Sequence, residues 1–410
     1  MSNSHAPRPL ATPLHVALRK ITEKLAHELG SPTRLAPDWS DFEWLVARSV
    51  AAMHGVSPLL SRVLLWRGPP GWVRFLEQQR SHTEKRHARI AQLLESIGRR
   101  ARESDVAVVG LKGLALHAMD LYEVGDRPMA DIDLLVRPRD TQSTVRLLES
   151  FGYHEYLRSW KEQVFSPREE RIPGALGEHC DNIIKIDLHE RICERLPWFI
   201  TDATELIFPS QAQAGLNSYP TTASLMLHML LHAAGSMTIR SLRLLQLNDL
   251  AQLSSRMTST DWDQFLDFGD RQSGLWWALP PLRLASWYFP SKIPARVLAT
   301  VAEDCPYLLH RITANKTLYD ESCSYPWVEA FPGIEWVQSI PELMGYVAAR
   351  VRPNSRHVEL RRKVAVTEAW AAGNHWSELS QTRRILRWLS SRPTRSMTMH
   401  AVNAALAQAQ

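Results

Sequence analysis

Two aspartates in an apolar run place the strongest constraint on how this chain folds. Asp131 and Asp133 flank Ile132, and Leu134 and Val136 follow. Alternate residues of a β-strand face the same side, so both carboxylates share one face while Ile132, Leu134 and Val136 point into a core. Two carboxylates this close raise each other's pKa unless a cation lies between them, and hard oxygen ligands suit Mg²⁺ or Mn²⁺. The run therefore predicts a divalent-metal site. The alternative is a plain polar face on an edge strand.

A second alternating stretch supplies a third carboxylate. Residues 182–189 carry apolar side chains on one side and Lys185, Asp187 and His189 on the other. Asp187 lies 54 residues after Asp133, which leaves room for a helix and a hairpin between the two strands. We therefore expect Asp187 to return beside the first two carboxylates.

A phosphate-binding turn is expected upstream. A strand is predicted at 106–109, and Lys112 and Gly113 follow it at the start of a short apolar helix. Backbone N–H groups and the dipole at a helix start attract phosphate, and Lys112 adds a positive charge. Arg127, four residues before Asp131, is expected either to reach a phosphate or to brace the loop.

Four strings in this region closely resemble a known family. They are Leu-Lys-Gly at 111–113, Leu-Tyr at 121–122, Arg-Pro-Met at 127–129 and Asp-Ile-Asp-Leu-Leu-Val at 131–136. The chain resembles an uncharacterised bacterial family within the polymerase-β-like nucleotidyltransferase superfamily. The resemblance covers residues 105–290, helped by histidine-containing and leucine-rich strings in the later helices. None is found in the first 100 residues.

The resemblance implies a metal-dependent nucleotidyltransferase. Asp131 and Asp133 would bind two Mg²⁺ or Mn²⁺ ions, and Asp187 would be the third carboxylate, holding the catalytic ion. Lys112 and Gly113 stand where the superfamily usually has Gly-Ser. The enzyme would move a nucleoside monophosphate from a triphosphate such as ATP to an acceptor hydroxyl or phosphate.

Other cleft residues are expected from position. His189 shares a strand face with Asp187 and is expected to contact the nucleotide. His228 and His232 are spaced i and i+4 on a helix, which can bind a metal, but Met229 stands where a catalytic Glu would follow the first His. We expect the two histidines to line the cleft or to be satisfied in packing. Asp249 is expected to cap a helix or pair with a nearby Arg.

Several rival functions share these residues. One is a non-catalytic protein that binds nucleotide or RNA, although three mutually repelling carboxylates argue against it. Another is a phosphohydrolase or nuclease using the same metals with water as the acceptor. A third is an interaction protein whose helical ends carry the function. The acceptor is open among small molecules, peptides, proteins and RNA.

The predicted fold class is an α/β (α+β) nucleotidyltransferase core with a small mixed sheet, flanked by helical regions. The 410 residues are expected to divide into an N-terminal helical region at 1–100, the core at 101–200, a helical domain at 201–320, and a linker with a C-terminal helical extension at 321–410. Helices from about Leu225 to Tyr288 would close one wall of the cleft.

Helical periodicity predicts the flanking elements in more detail. Helices are expected at 13–29, 40–53, 57–66, 72–102, 138–151, 220–234 and 239–253. A surface-packed loop or linker is expected at 320–341, where prolines and aromatics cluster.

Composition gives only weak constraints on the binding partners and the cellular location of the protein. The formal net charge of +5 and pI near 9.1 permit an anionic partner without demanding one. No window holds 18 uncharged apolar residues and the N-terminus lacks a signal-peptide pattern, so no membrane association and a cytoplasmic location are expected. The four cysteines form no Cys-x-x-Cys pair and are expected to be reduced thiols.

Overall fold

The computed structural model describes residues 11–168, 176–196, 199–271, 274–355, 358–359 and 379–408. The helices before the sheet are α1 (Ala11–Gly30), α2 (Asp41–Met53), α3 (Ser57–Val63) and α4 (Pro70–Glu103). The strands are β1 (Ala107–Gly110), β2 (Asp131–Val136), β3 (Tyr153–Arg158), β4 (Gln163–Pro167), β5 (Lys185–His189), β6 (Cys193–Leu196), β7 (Phe199–Asp202) and β8 (Gly215–Asn217).

Short helices connect the strands, and a helical region follows. Those between strands are α5 (Gly113–Ala118), α6 (Thr141–Ser150) and α7 (Thr204–Ile207). The later ones are α8 (Thr222–Thr238), α9 (Leu244–Ser254), α10 (Ser259–Asp267), α11 (Leu279–Tyr288), α12 (Ala295–Glu303), α13 (Tyr307–Thr313), α14 (Leu318–Glu321), α15 (Ile340–Val351), α16 (Gln381–Ser390) and α17 (Ser396–Ala407). Within the described residues, no helix is both long and apolar enough to cross a lipid bilayer.

The N-terminal helices follow the predicted pattern, with one exception. Ser40 caps α2 through a reciprocal pair of hydrogen bonds with Glu43. The helix predicted at 57–66 ends at Val63, because the backbone becomes extended at Leu64. This turn lets the Trp66 ring pack edge-on against other buried indoles, 6.0 Å from Trp44 between ring centroids.

Six strands form a mixed sheet in the order β3-β4-β5-β2-β1-β8. β2 pairs with β5 in parallel and with β1 antiparallel, while β4 joins β3 and β5 antiparallel. One face of the sheet is covered by α4 and α6. The buried residues of this core include Ile90, Ile97, Leu147, Leu148, Ile132, Leu134, Val136, Ile186 and Leu188.

The prediction of a helix at 239–253 is wrong for residues 239–243. α8 ends at Thr238 and α9 begins only at Leu244. Between them Arg240 has a φ of 54°, which a continuous helix does not allow. Its guanidinium lies in a buried network with Glu321 at 2.6 Å and Glu335 at 2.9 Å. Contacts with a distant part of the chain therefore override the local helical periodicity.

The surface loop predicted at 320–341 is also wrong, because its first part is buried. Ser322 and Ser324 are inaccessible to solvent. The Ser324 hydroxyl hydrogen-bonds to the Thr22 hydroxyl at 3.0 Å and to His54 Nε2 at 3.2 Å, both in the N-terminal helices. The predicted four-part division stays a prediction, and one hydrophobic core runs across its bounds from α1 through α8 to α17.

Candidate active site

Strand pairing brings the three predicted carboxylates together. In the parallel pair of β2 and β5, Asp133 lies opposite Asp187 and Asp131 lies opposite Lys185. Directly paired residues project from the same face, so the three aspartates share the face turned away from α4 and α6. Asp131 is exposed, Asp187 is half-buried and Asp133 is 6% exposed.

A cleft of about 410 Å³ borders this acidic cluster. Asp131 and Asp133 line it on the sheet side, while α8 and α9 form the opposite wall through Met229, His232 and Gln246. The expected helical wall is therefore present. The volume falls within the roughly 300–1,000 Å³ typical of small-molecule sites.

Two neighbours hold Asp133 in its ionised form. Its Oδ1 accepts a hydrogen bond from Lys112 Nζ at 2.6 Å and lies 3.1 Å from His189 Nε2. Burial alone would raise the pKa of Asp133, but the Lys112 charge and the His189 hydrogen bond outweigh it and hold the pKa well below its usual range. His189 is buried behind Asp133, where it orients that carboxylate.

The other two carboxylates are held toward the protonated form. Burial, together with the charges of Asp131 and Asp133, raises the pKa of Asp187 to about 8. The pKa of Asp131 is raised too, because protein atoms of the cleft surround its carboxylate although part of the residue is open to water, and because Asp133 lies beside it. The oxygens of the three side chains do not all lie within 4.8 Å of one another in this arrangement. Ionisation of all three carboxylates would therefore place more negative charge here than Lys112 balances.

The stability of the metal-free protein should fall as the pH rises toward 8. The unfolded chain ionises Asp187 near 3.8, whereas the folded protein keeps this proton to about pH 8. Between these values the folded state binds more protons, so this group lowers the free energy of unfolding as pH rises, and its effect levels off above about 8. Asp187→Asn removes the titration.

This pH effect is measured by thermal denaturation of wild type and Asp187→Asn in EDTA, from about pH 5 to about pH 9. The melting temperature of the variant minus that of the wild type should increase up to about pH 8 and stay constant above it. A difference that does not change with pH contradicts the assigned ionisation.

Gly113 stands where a larger residue would not fit. α5 begins at Gly113, directly after Lys112, whose φ of 48° lies in the left-handed region. The Lys112 backbone N–H donates to the Tyr219 hydroxyl at 3.2 Å, which stabilises the turn. A Cβ added to Gly113 would lie 2.4 Å from Arg127 Nη1 and 3.1 Å from the Met129 side chain. The turn therefore needs glycine because two side chains pack directly on it.

Arg127 braces the loop. Its Nε and Nη2 donate to the two carboxylate oxygens of Asp249, each at 2.8 Å, and both side chains are buried. The Tyr122 hydroxyl donates to the same Asp249 at 2.7 Å. Of the two roles expected for Arg127, the structure shows the bracing contact, and it pairs Asp249 with an Arg as predicted.

The two helix histidines contact residues other than the three aspartates. His228 is buried, with Nδ1 2.6 Å from the Tyr219 hydroxyl that supports the Lys112 turn. His232 lines the cleft, and its Nδ1 is 4.0 Å from Glu194 Oε1. Burial, followed by the Lys112 charge, lowers the pKa of both well below the ordinary value. Within the described residues no third metal ligand joins them.

Sequence reasoning missed three charged residues of the cleft. Lys161, in the turn between β3 and β4, forms an ion pair with Glu194 of β6. Arg243, just before α9, is exposed to the cleft, and its charge favours ionisation of Asp131. These residues come from separate elements and no motif spacing links them, so only the fold reveals their proximity.

Comparison with known proteins gives one match. The model of a family described as an uncharacterised nucleotidyltransferase matches residues 40–289. The expectation that the first 100 residues lie outside the resemblance is therefore wrong from residue 40 onward. Neither the curated proteins nor the solved structures include a match.

Proposed function

Because the chain belongs to the uncharacterised nucleotidyltransferase family, we propose that it transfers a nucleoside monophosphate from a nucleoside triphosphate, using Mg²⁺ or Mn²⁺. An acceptor hydroxyl or phosphate oxygen would form a bond to the α-phosphorus. The bond from that phosphorus to the bridging oxygen would break, and pyrophosphate would leave. The observation that carries the proposal is the pairing of Asp133 with Asp187, beside Asp131, at the wall of the cleft.

The donor set fits the proposed ions. Asp131, Asp133 and Asp187 offer the hard oxygens that Mg²⁺ prefers, together with substrate phosphates. The raised pKa values of Asp131 and Asp187 mark negative charge that a cation would relieve. When bound, two divalent ions would activate the attacking hydroxyl and stabilise the leaving pyrophosphate.

The protein's own groups would then have distinct tasks. Asp187, paired with Asp133 across the two strands, would hold the catalytic ion and could accept the proton of the attacking hydroxyl. Lys112 and Arg243 bring positive charge to the cleft, which favours the triphosphate. His189 holds the carboxylate of Asp133 in position.

Two labels distinguish this reaction from its rivals. Each of the four nucleoside triphosphates is supplied with the label on the α- or the γ-phosphate, with Mg²⁺ or Mn²⁺ and a cell extract as the source of acceptor. Transfer of the α-label to an acceptor, with release of pyrophosphate, is the expected result. Free labelled phosphate without a labelled acceptor would instead indicate a phosphohydrolase.

One contact favours a second candidate, non-catalytic nucleotide binding. The Lys112 ammonium already neutralises Asp133 at 2.6 Å, as a metal ion would. In this reading Lys112 stays on Asp133, and a triphosphate binds without transfer. A thermal-shift screen of wild type and Asp133→Asn separates the readings, because a metal-dependent stabilisation by one triphosphate, lost in the variant, supports the transferase.

Lys112→Ala should weaken triphosphate binding by roughly ten- to a hundredfold, the range of a lost charge-assisted hydrogen bond. We expect the ammonium to move from Asp133 to a phosphate when metal ions bind. The dissociation constant of a non-hydrolysable triphosphate with Mg²⁺ measures the change. Lys292→Ala, an exposed lysine outside the cleft, is the control. Equal affinity in both variants would show that Lys112 only supports the turn.

A further inference from the structure

A second cluster of metal-binding side chains lies outside the carboxylate site. His82 comes from α4, and His179 and Cys180 come from the segment that leads into β5. One potential ligand atom from each of the three lies within 4.8 Å of the other two. In the part of the chain that the structure describes, this is the only group of three or more such residues with that geometry.

We propose that His82, His179 and Cys180 bind a zinc-class divalent cation. Thiolate and imidazole are the ligands that Zn²⁺ prefers, whereas Mg²⁺ and Mn²⁺ prefer carboxylate and water oxygens. Three protein ligands with a water in the fourth position complete a tetrahedral site. The cluster therefore selects a different class of cation from the one proposed for Asp131 and Asp133, and it does not depend on the proposed transferase activity.

The two imidazoles are already oriented around Cys180. The Cys180 backbone N–H donates to His82 Nδ1, and the Asp181 N–H donates to His179 Nδ1, both at 3.2 Å. The rings lie 4.4 Å apart between centroids. A ring nitrogen that accepts an N–H group carries no proton, so its lone pair can be given to a metal ion instead. The cation would take these lone pairs in place of two long hydrogen bonds.

The nearby charges are of both signs: Asp181 favours a cation, while the positive charge of Lys85 acts on His82. The Asp181 carboxylate lies 3.6 Å from His179 Nδ1, on the solvent side of the cluster. All three proposed ligands are half-buried, so an ion can enter from solvent while the protein still shields its bonds.

The location gives the ion a structural task. One turn beyond His82, the Arg86 guanidinium donates to the backbone oxygens of Ala130 at 2.8 Å and Ile183 at 3.1 Å. Ala130 directly precedes β2, and Ile183 lies just before β5. These are the two strands that carry the carboxylates. Gln79, on the same helix, accepts the N–H of Glu178 at 2.7 Å. A bound ion would add a further tether from α4 to this segment and so fix the entry into β5.

Metal content tests the proposal without any activity assay. Wild type, Cys180→Ser and His82→Ala are incubated with Zn²⁺, passed through gel filtration and analysed by elemental mass spectrometry. Cys305→Ser is the matched control, because Cys305 is also half-buried and forms no disulfide but does not belong to the cluster. Wild type and control should retain stoichiometric zinc, and the two site variants should lose most of it.

Cobalt identifies the ligands. Co²⁺ bound to a thiolate gives an intense near-ultraviolet charge-transfer absorption, expected in wild type and Cys305→Ser and absent from Cys180→Ser. The chelator EDTA should also lower the melting temperature of wild type but not of Cys180→Ser.

Zinc that is retained equally by Cys180→Ser, or that is lost in Asp133→Asn instead, would overturn the assignment. Failure to retain zinc in the wild type would do the same.

Discussion

Asp133→Asn is expected to abolish metal-dependent transfer while the chain stays folded. The substitution keeps the shape of the side chain, and its amide oxygen can still accept hydrogen bonds from Lys112 and His189. It removes the charge that would hold the ions, and of the three site aspartates Asp133 is the one whose pKa is held below its usual range. A loss of about 4 kcal/mol of transition-state stabilisation lowers turnover about a thousandfold.

The comparison needs a folding control and a second variant. Turnover is measured with saturating triphosphate, and melting temperatures are measured without metal. Asp267→Asn changes an exposed aspartate at the end of α10 and should keep full activity. Asp131→Asn should lose activity as well and match or exceed the wild-type melting temperature in EDTA, because it relieves repulsion. Full turnover in Asp133→Asn would exclude the proposed metal ligand.

The largest loss of stability is expected from Asp249→Ala. This variant leaves the Arg127 guanidinium buried without the carboxylate that it contacts through two 2.8 Å hydrogen bonds. Removing one partner of a buried ion pair typically costs about 3–5 kcal/mol. The free energy of unfolding in urea, measured without nucleotide or metal, reports the change. The Lys112 turn should loosen too, because Arg127 packs against Gly113.

A double variant separates bracing from nucleotide binding. Arg127→Met combined with Asp249→Leu replaces the pair with apolar side chains and should recover most of the stability that Asp249→Ala loses. If Arg127 also contacts a phosphate, the double variant will bind the triphosphate weakly although it is stable. Nearly wild-type affinity in the double variant would restrict Arg127 to its structural role.

The sequence predicts the strands of the site well, because alternation is a local property. Asp131, Asp133 and Asp187 were expected on one face, and the register of β2 with β5 brings them there. Contacts between distant segments were not predictable in this way. The Arg240 network interrupts a helix that local periodicity supports, and Ser324 is buried by helices some 270 to 300 residues away in sequence.

The same limit applies to the side chains around the carboxylates. Lys112 was expected to face phosphate, yet the structure places its ammonium on Asp133, 21 residues further along the chain. Arg243 and the cluster of His82 with Cys180 carry no sequence spacing that would reveal them. Their proximity depends on how α4, β5 and α9 are arranged in three dimensions.

The parallel register of β2 and β5 also determines which changes in chain length the protein can tolerate. Side chains alternate with a period of two, so an insertion of one residue within β5 would reverse every position after it. Such an insertion just before Asp187 would turn this carboxylate into the apolar core under α4 and α6, and would move Leu188 to the position of His189 on the site face. Insertions in the connection between the two strands leave this register intact. Natural variation in length should therefore accumulate in that connection and avoid the five residues of β5.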